Sequence, residues 1–528
     1  PFPPPLTDFA FTPTQPLAGD TVQFTNTTQG LFTASFWNFG DGATSAATHP
    51  AHAYAAPGTY TVTLTVSGPG GSSQKQKAVT VRAVQPPLVV PVIARVAGIG
   101  TPWRSDVVLA NPASSPLPLA LEYRPSGSGT AVIGTVTLGP KQARLFEDAV
   151  ATLFAQGDGR GSVVLVPPRE GPAPAVFSRT FSVQSGSRRG QGIPAGVVLP
   201  RGTYFVTGLF EDSQMRTNLG VTGGPEAVTA TFELYRGTQG KVAGPVSKTI
   251  GPYDQQQWRL SDLFSGAPRE GVPMTVRLNL SAPAAPWASV VDQASGDAVY
   301  IQAMAAGSPL LVPVVASLQG LAFWDTDLTL ANPTGTPTVV SLEYLPENRN
   351  NQGGGTVLKT VTLAPGETRV VERLFTSLLG VGNTKGSLSL ASGQPIVAAC
   401  RVYTPTTQGT YGQGVPVLPV SAFSSGTRFV TGVRNRDGFR TNVGLLTPSG
   451  GVNATARLYD GSGSKLAERS DLYVPPRSLQ QFRLEDLFPG APVPNPAGSL
   501  EVIPSGPLAV YLSVVDGTSQ DPVLVLVP

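Results

Sequence analysis

Residues able to do acid–base, nucleophilic or metal chemistry are scarce in this chain of 528 residues. There are two histidines, His49 and His52, and one cysteine, Cys400. A histidine-dependent triad or a zinc site needs several such side chains together. A cysteine nucleophile needs a neighbouring base, and no histidine lies in the same half of the chain, so we expect Cys400 to be a small buried strand residue. A reactive thiol or an intermolecular disulfide is the alternative.

Two pairs of aspartates form the best remaining constellation. Asp292 and Asp297 recur as Asp516 and Asp521, each pair following an apolar strand. Loop carboxylates of this kind can bind calcium, a hard cation that takes oxygen ligands. The same spacing around a glycine is also typical of a hairpin turn whose aspartates accept hydrogen bonds from backbone amides. We favour the turn and keep calcium as the alternative, and we expect no cofactor and no catalytic residue.

A unit of one domain length, roughly 112 residues, recurs four times after residue 88. An aliphatic residue, a small residue or proline, and then a proline mark each copy; the markers end at Pro140, Pro252, Pro365 and Pro476, which are 112, 113 and 111 residues apart. Alternate copies are more alike, since Arg216–Asn218 returns as Arg440–Asn442 and Gly190–Gly192 returns as Gly412–Gly414. The order is therefore A, B, A′, B′. The predicted domains are 1–85, 86–200 (A), 201–309 (B), 310–421 (A′) and 422–528 (B′).

Composition indicates what kind of unit is repeated. The chain has 60 glycines and 52 prolines, only 13% charged residues and 41% hydrophobic residues, which disfavours long helices but allows filled cores. Apolar and polar residues alternate along Thr59–Val66 and Met274–Leu280, as in strands with one buried face. We predict an all-β protein of five tandem Ig-like β-sandwiches. Short helical crossovers, capped by Ser or Asp, are predicted at Arg144–Phe154, Leu260–Phe264, Val371–Leu379 and Leu484–Phe488.

The first 85 residues differ from the repeats. They contain Trp37-Asn-Phe-Gly-Asp-Gly42, then His52-Ala-Tyr54, then Pro57-Gly-Thr-Tyr60 at the start of an alternating strand. This combination resembles the PKD (polycystic kidney disease) domain, and Asn38 replaces the aspartate that is usual in the family. The resemblance implies an Ig-like sandwich of extracellular and surface proteins. The four later copies resemble accessory modules of secreted bacterial proteins, which implies no activity.

Charge and hydropathy limit the partners and the location. The net charge is +3 with no polybasic run, so neither nucleic acid nor an anionic membrane surface is indicated. No stretch is apolar for long enough to form a spanning helix. The sequence begins at Pro1 rather than Met, from which we expect removal of a signal peptide and an extracellular or cell-surface location.

The preferred function is structural. Short linkers that contain proline should hold five sandwiches in a stiff rod, which could polymerise into a filament, coat or adhesive appendage. Phe2 and the apolar segment Val523, Leu524, Val525 and Leu526 are the self-association candidates, since an exposed end strand can extend the sheet of another subunit. For Val523–Leu526 the favoured reading is the last strand of its own domain. The alternative function is a polysaccharide- or substrate-binding accessory region of a secreted hydrolase, although the tryptophans are spread over different copies.

Overall fold

A computed structural model of the chain describes residues 2–97, 102–127, 130–184, 187–196, 198–266, 271–320, 322–407, 409–435, 438–494 and 496–528. Strands account for 59% of the chain and helices for 4%, which confirms the predicted all-β class. Within these residues no helix is both long and apolar enough to cross a membrane.

The chain divides into two compact units. The N-terminal unit is Pro1–Pro86 with Arg169–Gly171, and the repeat unit is Pro87–Pro168 with Pro172–Pro528. Pro86 and Arg169–Gly171, which fall in the first predicted repeat, thus group with the N-terminal unit. The boundaries between the four repeats remain predictions.

The N-terminal unit is a sandwich of two antiparallel sheets, with strand orders β1-β2-β5 and β4-β3-β6-β7. Its strands are β1 Phe9–Thr12, β2 Thr21–Asn26, β3 Ala34–Asn38, β4 Thr44–Ser45, β5 Ala51–Ala53, β6 Gly58–Gly68 and β7 Gly71–Val81. Trp37 and Phe39 point into the core, where Trp37 packs against Phe9 and Phe24. Alternation along β3 and β6 therefore buries one face of this sheet, as the sequence predicts.

Repeats A and B each fold into two four-stranded antiparallel sheets. The strands of A are β8 Leu88–Arg95, β9 Trp103–Ala110, β10 Leu117–Pro125, β11 Val132–Leu138, β12 Ala143–Phe146, β13 Gly159–Val166, β14 Ala175–Gln184 and β15 Ser187–Pro194. The strands of B are β16 Gly202–Leu209, β17 Met215–Gly223, β18 Val228–Arg236, β19 Gly240–Ile250, β20 Gln255–Arg259, β21 Met274–Leu280, β22 Ala284–Asp292 and β23 Ala298–Gln302. The sheets run β11-β10-β13-β8 and β12-β9-β14-β15 in A, and β19-β18-β21-β16 and β20-β17-β22-β23 in B.

Repeats A′ and B′ repeat this topology. The strands of A′ are β24 Leu310–Gln319, β25 Phe323–Ala331, β26 Thr338–Pro346, β27 Val357–Leu363, β28 Thr368–Val371, β29 Thr384–Ser392, β30 Val397–Thr406, β31 Gly409–Val415 and β32 Leu418–Pro419. The strands of B′ are β33 Arg428–Val433, β34 Phe439–Leu446, β35 Val452–Tyr459, β36 Lys465–Val474, β37 Leu479–Arg483, β38 Gly498–Pro504, β39 Ala509–Asp516 and β40 Pro522–Val527. In A′ a short β24–β25 pairing joins the orders β27-β26-β29-β24 and β28-β25-β30-β31. The sheets of B′ run β36-β35-β38-β33 and β37-β34-β39-β40.

One turn of helix connects the two sheets of each repeat, at the places predicted. These turns are α1 Ala149–Thr152, α2 Leu260–Leu263, a π-helix at Phe375–Leu379 and α3 Leu484–Leu487. The predicted caps are wrong, because no side chain caps any of the four turns and Ser261 and Glu485 lie inside their helices. Buried phenylalanines hold the turns against the cores instead, such as Phe264 and Phe488.

The four repeats pack in a closed cycle, so the rod predicted from the linkers is wrong for this part of the chain. Each repeat contacts the next, and B′ also contacts A. One hydrogen bond or ion pair from each interface illustrates the cycle: Thr222 Oγ1 to Pro91 O (2.6 Å), Thr275 Oγ1 to Thr368 Oγ1 (2.8 Å), Asn348 N to Leu479 O (2.8 Å) and Lys141 Nζ to Glu501 Oε1 (2.7 Å). A linear string cannot bring the first and fourth repeats together.

Four edge strands meet at the centre of this cycle. β15, β23, β31 and β40 each end the second sheet of their own repeat, and each contacts the two neighbouring edge strands. Gly192 and Gly414 allow the close approach, because a methyl group there would lie 2.5 Å from Val523 Cγ1 and 2.7 Å from the Tyr300 carbonyl oxygen, respectively. Gly192 and Gly414 occupy equivalent positions in A and A′. The interface between A and B′ and the interface between A′ and B therefore depend on the same kind of close contact.

We predict that Gly414→Ala destabilises the repeat unit by about 1–3 kcal/mol, the usual cost of overpacking a tight interior contact. The obstacle is backbone, the Tyr300 carbonyl, and it cannot rotate away. Urea unfolding measures the effect. Gly335→Ala in the same repeat is the control, since nothing lies within 4 Å of a methyl group there. Equal stability of the two variants would contradict the tight central packing.

Candidate functional site

The aspartate pairs lie at the turns that lead into the two central strands β23 and β40. Asp292 Oδ1 accepts hydrogen bonds from the N–H groups of Ala294 and Ser295, at 2.9 and 3.1 Å. In the equivalent turn Asp516 Oδ1 accepts from Thr518 and Ser519 at the same two distances. One oxygen of each first aspartate therefore holds its own hairpin turn.

The remaining carboxylate oxygens of B reach into repeat A′. Asp292 Oδ2 accepts from the Thr410 N–H and hydroxyl, both at 2.9 Å. Asp297 Oδ2 accepts from the Gly412 N–H at 2.8 Å and from Arg401 Nη2 at 3.5 Å. Thr410 and Gly412 are alternate residues of edge strand β31, so the pair satisfies two backbone donors on its exposed edge.

The carboxylates of B′ make the matching contacts with repeat A. Asp516 Oδ2 accepts from the Arg188 N–H at 3.2 Å. Asp521 Oδ2 accepts from the Gly190 N–H at 2.8 Å and from Arg179 Nη2 at 3.0 Å. Arg188 and Gly190 alternate along β15, as their counterparts do along β31. The two halves of the repeat unit therefore exchange the same set of bonds.

Two glutamines complete the centre, each in a Gly-Gln-Gly segment. Ser289 Oγ donates to Gln191 Oε1 at 2.8 Å, and Ser513 Oγ donates to Gln413 Oε1 at 3.2 Å. Each central strand of A or A′ thereby contacts both B-type repeats. In the sequence these segments served only as markers of the repeat, and no spacing connected them with the aspartate pairs.

Burial makes the inner aspartates poor anions. Asp297 is 1% and Asp521 0% exposed. Loss of hydration raises the pKa of Asp297 well above its usual value, and the negative charge of Asp521 raises it further. Burial also raises the pKa of Asp521, to about 6, although Arg179 and the Gly190 N–H oppose the shift. Among the described residues Asp521 Oδ1 has no hydrogen-bond partner.

These surroundings suit a proton better than a metal ion. The described part of the chain contains no group of three or more His, Cys, Asp or Glu side chains that could hold a metal. Arg179 and Arg401 stand beside the inner carboxylates, where a second cation would be repelled. Calcium binding by Asp292, Asp297, Asp516 and Asp521 remains a prediction of the sequence, and these contacts argue against it.

The C-terminal self-association candidates lie within the repeat unit. Val523 is buried beside Gly192 of repeat A, while Leu524 and Leu526 pack against the hydrophobic cluster of A′. The segment pairs with β39 as the last strand of B′. Neighbouring repeats thus cover the segment, through β15 and β31, on the side where a second subunit could have paired with it. Phe2 is exposed in the N-terminal unit, and self-association through it remains a prediction.

Cys400 and His52 have surroundings that suit a structural role. Cys400 is buried on β30, and burial raises the pKa of its thiol far above the usual value, which disfavours a reactive thiolate. His52 Nε2 lies 2.7 Å from Asp41 Oδ2, and its ring stacks on Phe39. Burial would raise the pKa of Asp41, but hydrogen bonds from His52 and the Ala43 N–H outweigh it and lower that pKa. These contacts hold the turn after β3.

We predict that the repeat unit loses stability as the pH rises through about 6, because its folded state holds a proton at Asp521 that the unfolded chain releases near the ordinary value of 3.8. The contribution is complete below the unfolded pKa and disappears above the folded one. One such proton gives a slope of up to about 1.4 kcal/mol per pH unit between those limits. Urea unfolding at several pH values measures it.

Asp521→Asn should reduce this slope, since the amide keeps an oxygen for the Gly190 N–H but does not titrate, while Asp297, whose pKa is also raised, still contributes. The loss of the Arg179 ion pair shifts stability at every pH, so the slope rather than the absolute stability is the readout. Asp471→Asn, on an exposed side chain, is the control and should keep the wild-type slope. An unchanged slope in Asp521→Asn would show that the proton sits elsewhere.

Comparison with known proteins identifies the N-terminal unit. Residues 3–83 match the family model for the PKD domain. Collagenase ColA of Bacillus cereus is 41% identical over 71 residues, which cover 12% of this chain and 7% of the collagenase. The chain therefore spans a small part of the length of that relative.

Two solved PKD domains cover the same region. The PKD1 domain of the Vibrio cholerae metalloprotease PrtV is 30% identical, with 15% of this chain and 96% of that chain covered and a TM-score of 0.14. The PKD1 domain of Vibrio anguillarum Epp is 24% identical, with 16% and 99% covered and a TM-score of 0.14. The match of residues 3–83 to the family model confirms the resemblance seen in Trp37–Gly42 and Pro57–Val66, and this part of the chain is a PKD domain.

Proposed function

We propose that this chain is a non-catalytic binding region of a secreted bacterial protein, in which the PKD domain presents the ligand surface and the four repeats form a rigid body. The PKD relative from Bacillus cereus is a collagenase, which supports an accessory role beside an enzyme. The observation that carries the proposal is the outer face of the PKD sheet β3-β6-β7.

This outer face surrounds one exposed aromatic ring with uncharged polar groups. Phe36 is 51% exposed on β3, in register with Thr65 of β6 and Gln74 of β7. The next row along the sheet is Asn38, Thr63 and Gln76. An aromatic ring supplies apolar contact area, and short polar side chains supply hydrogen bonds along a flat surface. Such a face suits an extended, largely uncharged polymer.

Trp37, Trp258 and Trp287 do not supply an alternative aromatic surface for a ligand. Trp37 is buried in the PKD core, and Trp287 of repeat B is buried against the core of A. Trp258 packs edge-on against Phe232 within its own repeat. Phe36 is the exposed aromatic ring on this face of the PKD sheet.

Two features of the repeat unit argue against a filament of rod-like subunits. The repeats close on themselves, and Val523–Leu526 are packed inside the repeat unit. We therefore prefer the binding region, which the sequence offered as the second function. Because the PKD relative is named a collagenase, we propose fibrous protein as the first ligand class, with polysaccharide as the competing outcome.

We expect the full chain to co-sediment with insoluble collagen, and Phe36→Ala to weaken retention by about tenfold, the effect of losing one central aromatic contact. Parallel assays with cellulose and chitin identify a polysaccharide ligand. Tyr473→Ala is the matched control, because Tyr473 is also 51% exposed but lies on the repeat unit. Retention of Phe36→Ala equal to wild type, or no retention of wild type on any polymer, would overturn the proposal.

A further inference from the structure

Repeat A′ contains an open groove on its surface. It lies between edge strands β27 and β28 and the π-helix, with a volume of about 970 Å³. Val361, Val371 and Leu378 provide apolar lining, and Thr360, Thr362 and Thr376 provide hydroxyl groups. The groove thus combines apolar area with polar groups along one side of a sandwich.

β27 and β28, the two strands beside the groove, are both edge strands. In the described part of the chain β27 pairs only with β26, and β28 pairs only with β25. The outer edge of β27 therefore presents backbone N–H and C=O groups that an added strand can bind. An extended polypeptide is the ligand that matches such an edge, since its own backbone supplies the complementary groups.

Comparison with repeat A shows what kind of side chain the groove lacks. Phe146 of A pairs with Val107, and Val371 of A′ pairs with Leu328 at the equivalent place. The Phe146 ring is buried, and the Arg144 guanidinium stacks on it at 4.7 Å. Valine at this position in A′ is smaller than the phenylalanine of A, and it lines the open groove. A ligand with an aromatic side chain could occupy it.

The rim of the groove carries exposed positive charge. The side chain of Arg369 is 45% exposed while its partner Glu367 is 3% exposed, and Arg373 is 60% exposed while its partner Asp325 is 2% exposed. The guanidinium groups thus face solvent while their carboxylates are buried. Lys359 and Glu372, both exposed, offset each other nearby. Because the solvent-facing groups of these two ion pairs are the guanidinium groups, an acidic ligand can contact them at the rim.

We propose that this groove binds an extended acidic polypeptide segment, which adds to β27 as an edge strand and places an aromatic side chain over Val371. Its carboxylates lie towards Arg369 and Arg373. The site is on the repeat unit and does not depend on the PKD surface. It gives the repeats a partner of their own, beyond the role of a rigid body.

A labelled synthetic peptide tests the site in the full chain. The probe alternates threonine and valine, with one central phenylalanine and two C-terminal glutamates, and fluorescence anisotropy follows its binding. Val371→Phe, which restores the residue type found in repeat A, should weaken binding at least about tenfold by filling the groove. Bound peptide should also slow amide hydrogen exchange along Val357–Leu363.

Matched variants separate groove filling from general damage. Val166→Phe makes the same change at an exposed residue of β13 in repeat A and should bind the peptide as wild type does. A probe with alanine in place of phenylalanine, or lysines in place of glutamates, should bind less well. No binding by wild type, equal binding by Val371→Phe, or unchanged exchange along β27 would overturn the proposal, and none of these outcomes bears on Phe36.

Discussion

The repeat unit depends on carboxylates that bind the backbone edges of neighbouring sandwiches. An edge strand presents unpaired N–H groups, which cost free energy if they are buried and invite aggregation if they are exposed. Here Asp292 and Asp297 accept hydrogen bonds from alternate N–H groups of β31, and their counterparts in B′ do the same for β15. The cycle can close because the edges are satisfied by side chains of the next repeat.

These contacts place the carboxyl groups of Asp297 and Asp521 away from solvent. Two buried carboxylates repel each other and burial disfavours both anions, which raises the pKa of both groups, while Arg179 and Arg401 compensate in part. Glycines on the same strands allow the backbones to approach closely enough for the bonds to form. Chemistry-bearing residues in the centre are therefore used for assembly, while the surfaces that we propose for binding lie on the PKD sheet and beside β27.

The two proposed surfaces differ in the physical basis of recognition. The PKD face offers side chains on the surface of a sheet, where binding depends on aromatic contact and side-chain hydrogen bonds. The groove in A′ offers the backbone of an unpaired edge, where an added strand supplies most of the hydrogen bonds. Neither surface needs a titrating group or a metal, which is consistent with the scarcity of histidine and cysteine in the sequence.

Local patterns in the sequence determined the elements. Alternation along Thr59–Val66 and Met274–Leu280, glycine and proline at the turns, and the spacing of the proline markers were enough to predict sandwiches and repeats, because strand burial and turn geometry are properties of neighbouring residues. The PKD domain was predicted from the resemblance of Trp37–Gly42 and the segments after it to that family. The arrangement of the repeats was not available in this way. Whether linked sandwiches extend or close depends on contacts such as Gly192 with Val523 and Arg179 with Asp521, between residues more than three hundred positions apart. Only the tertiary structure brings those residues together, and with them the buried charges that no local pattern predicts.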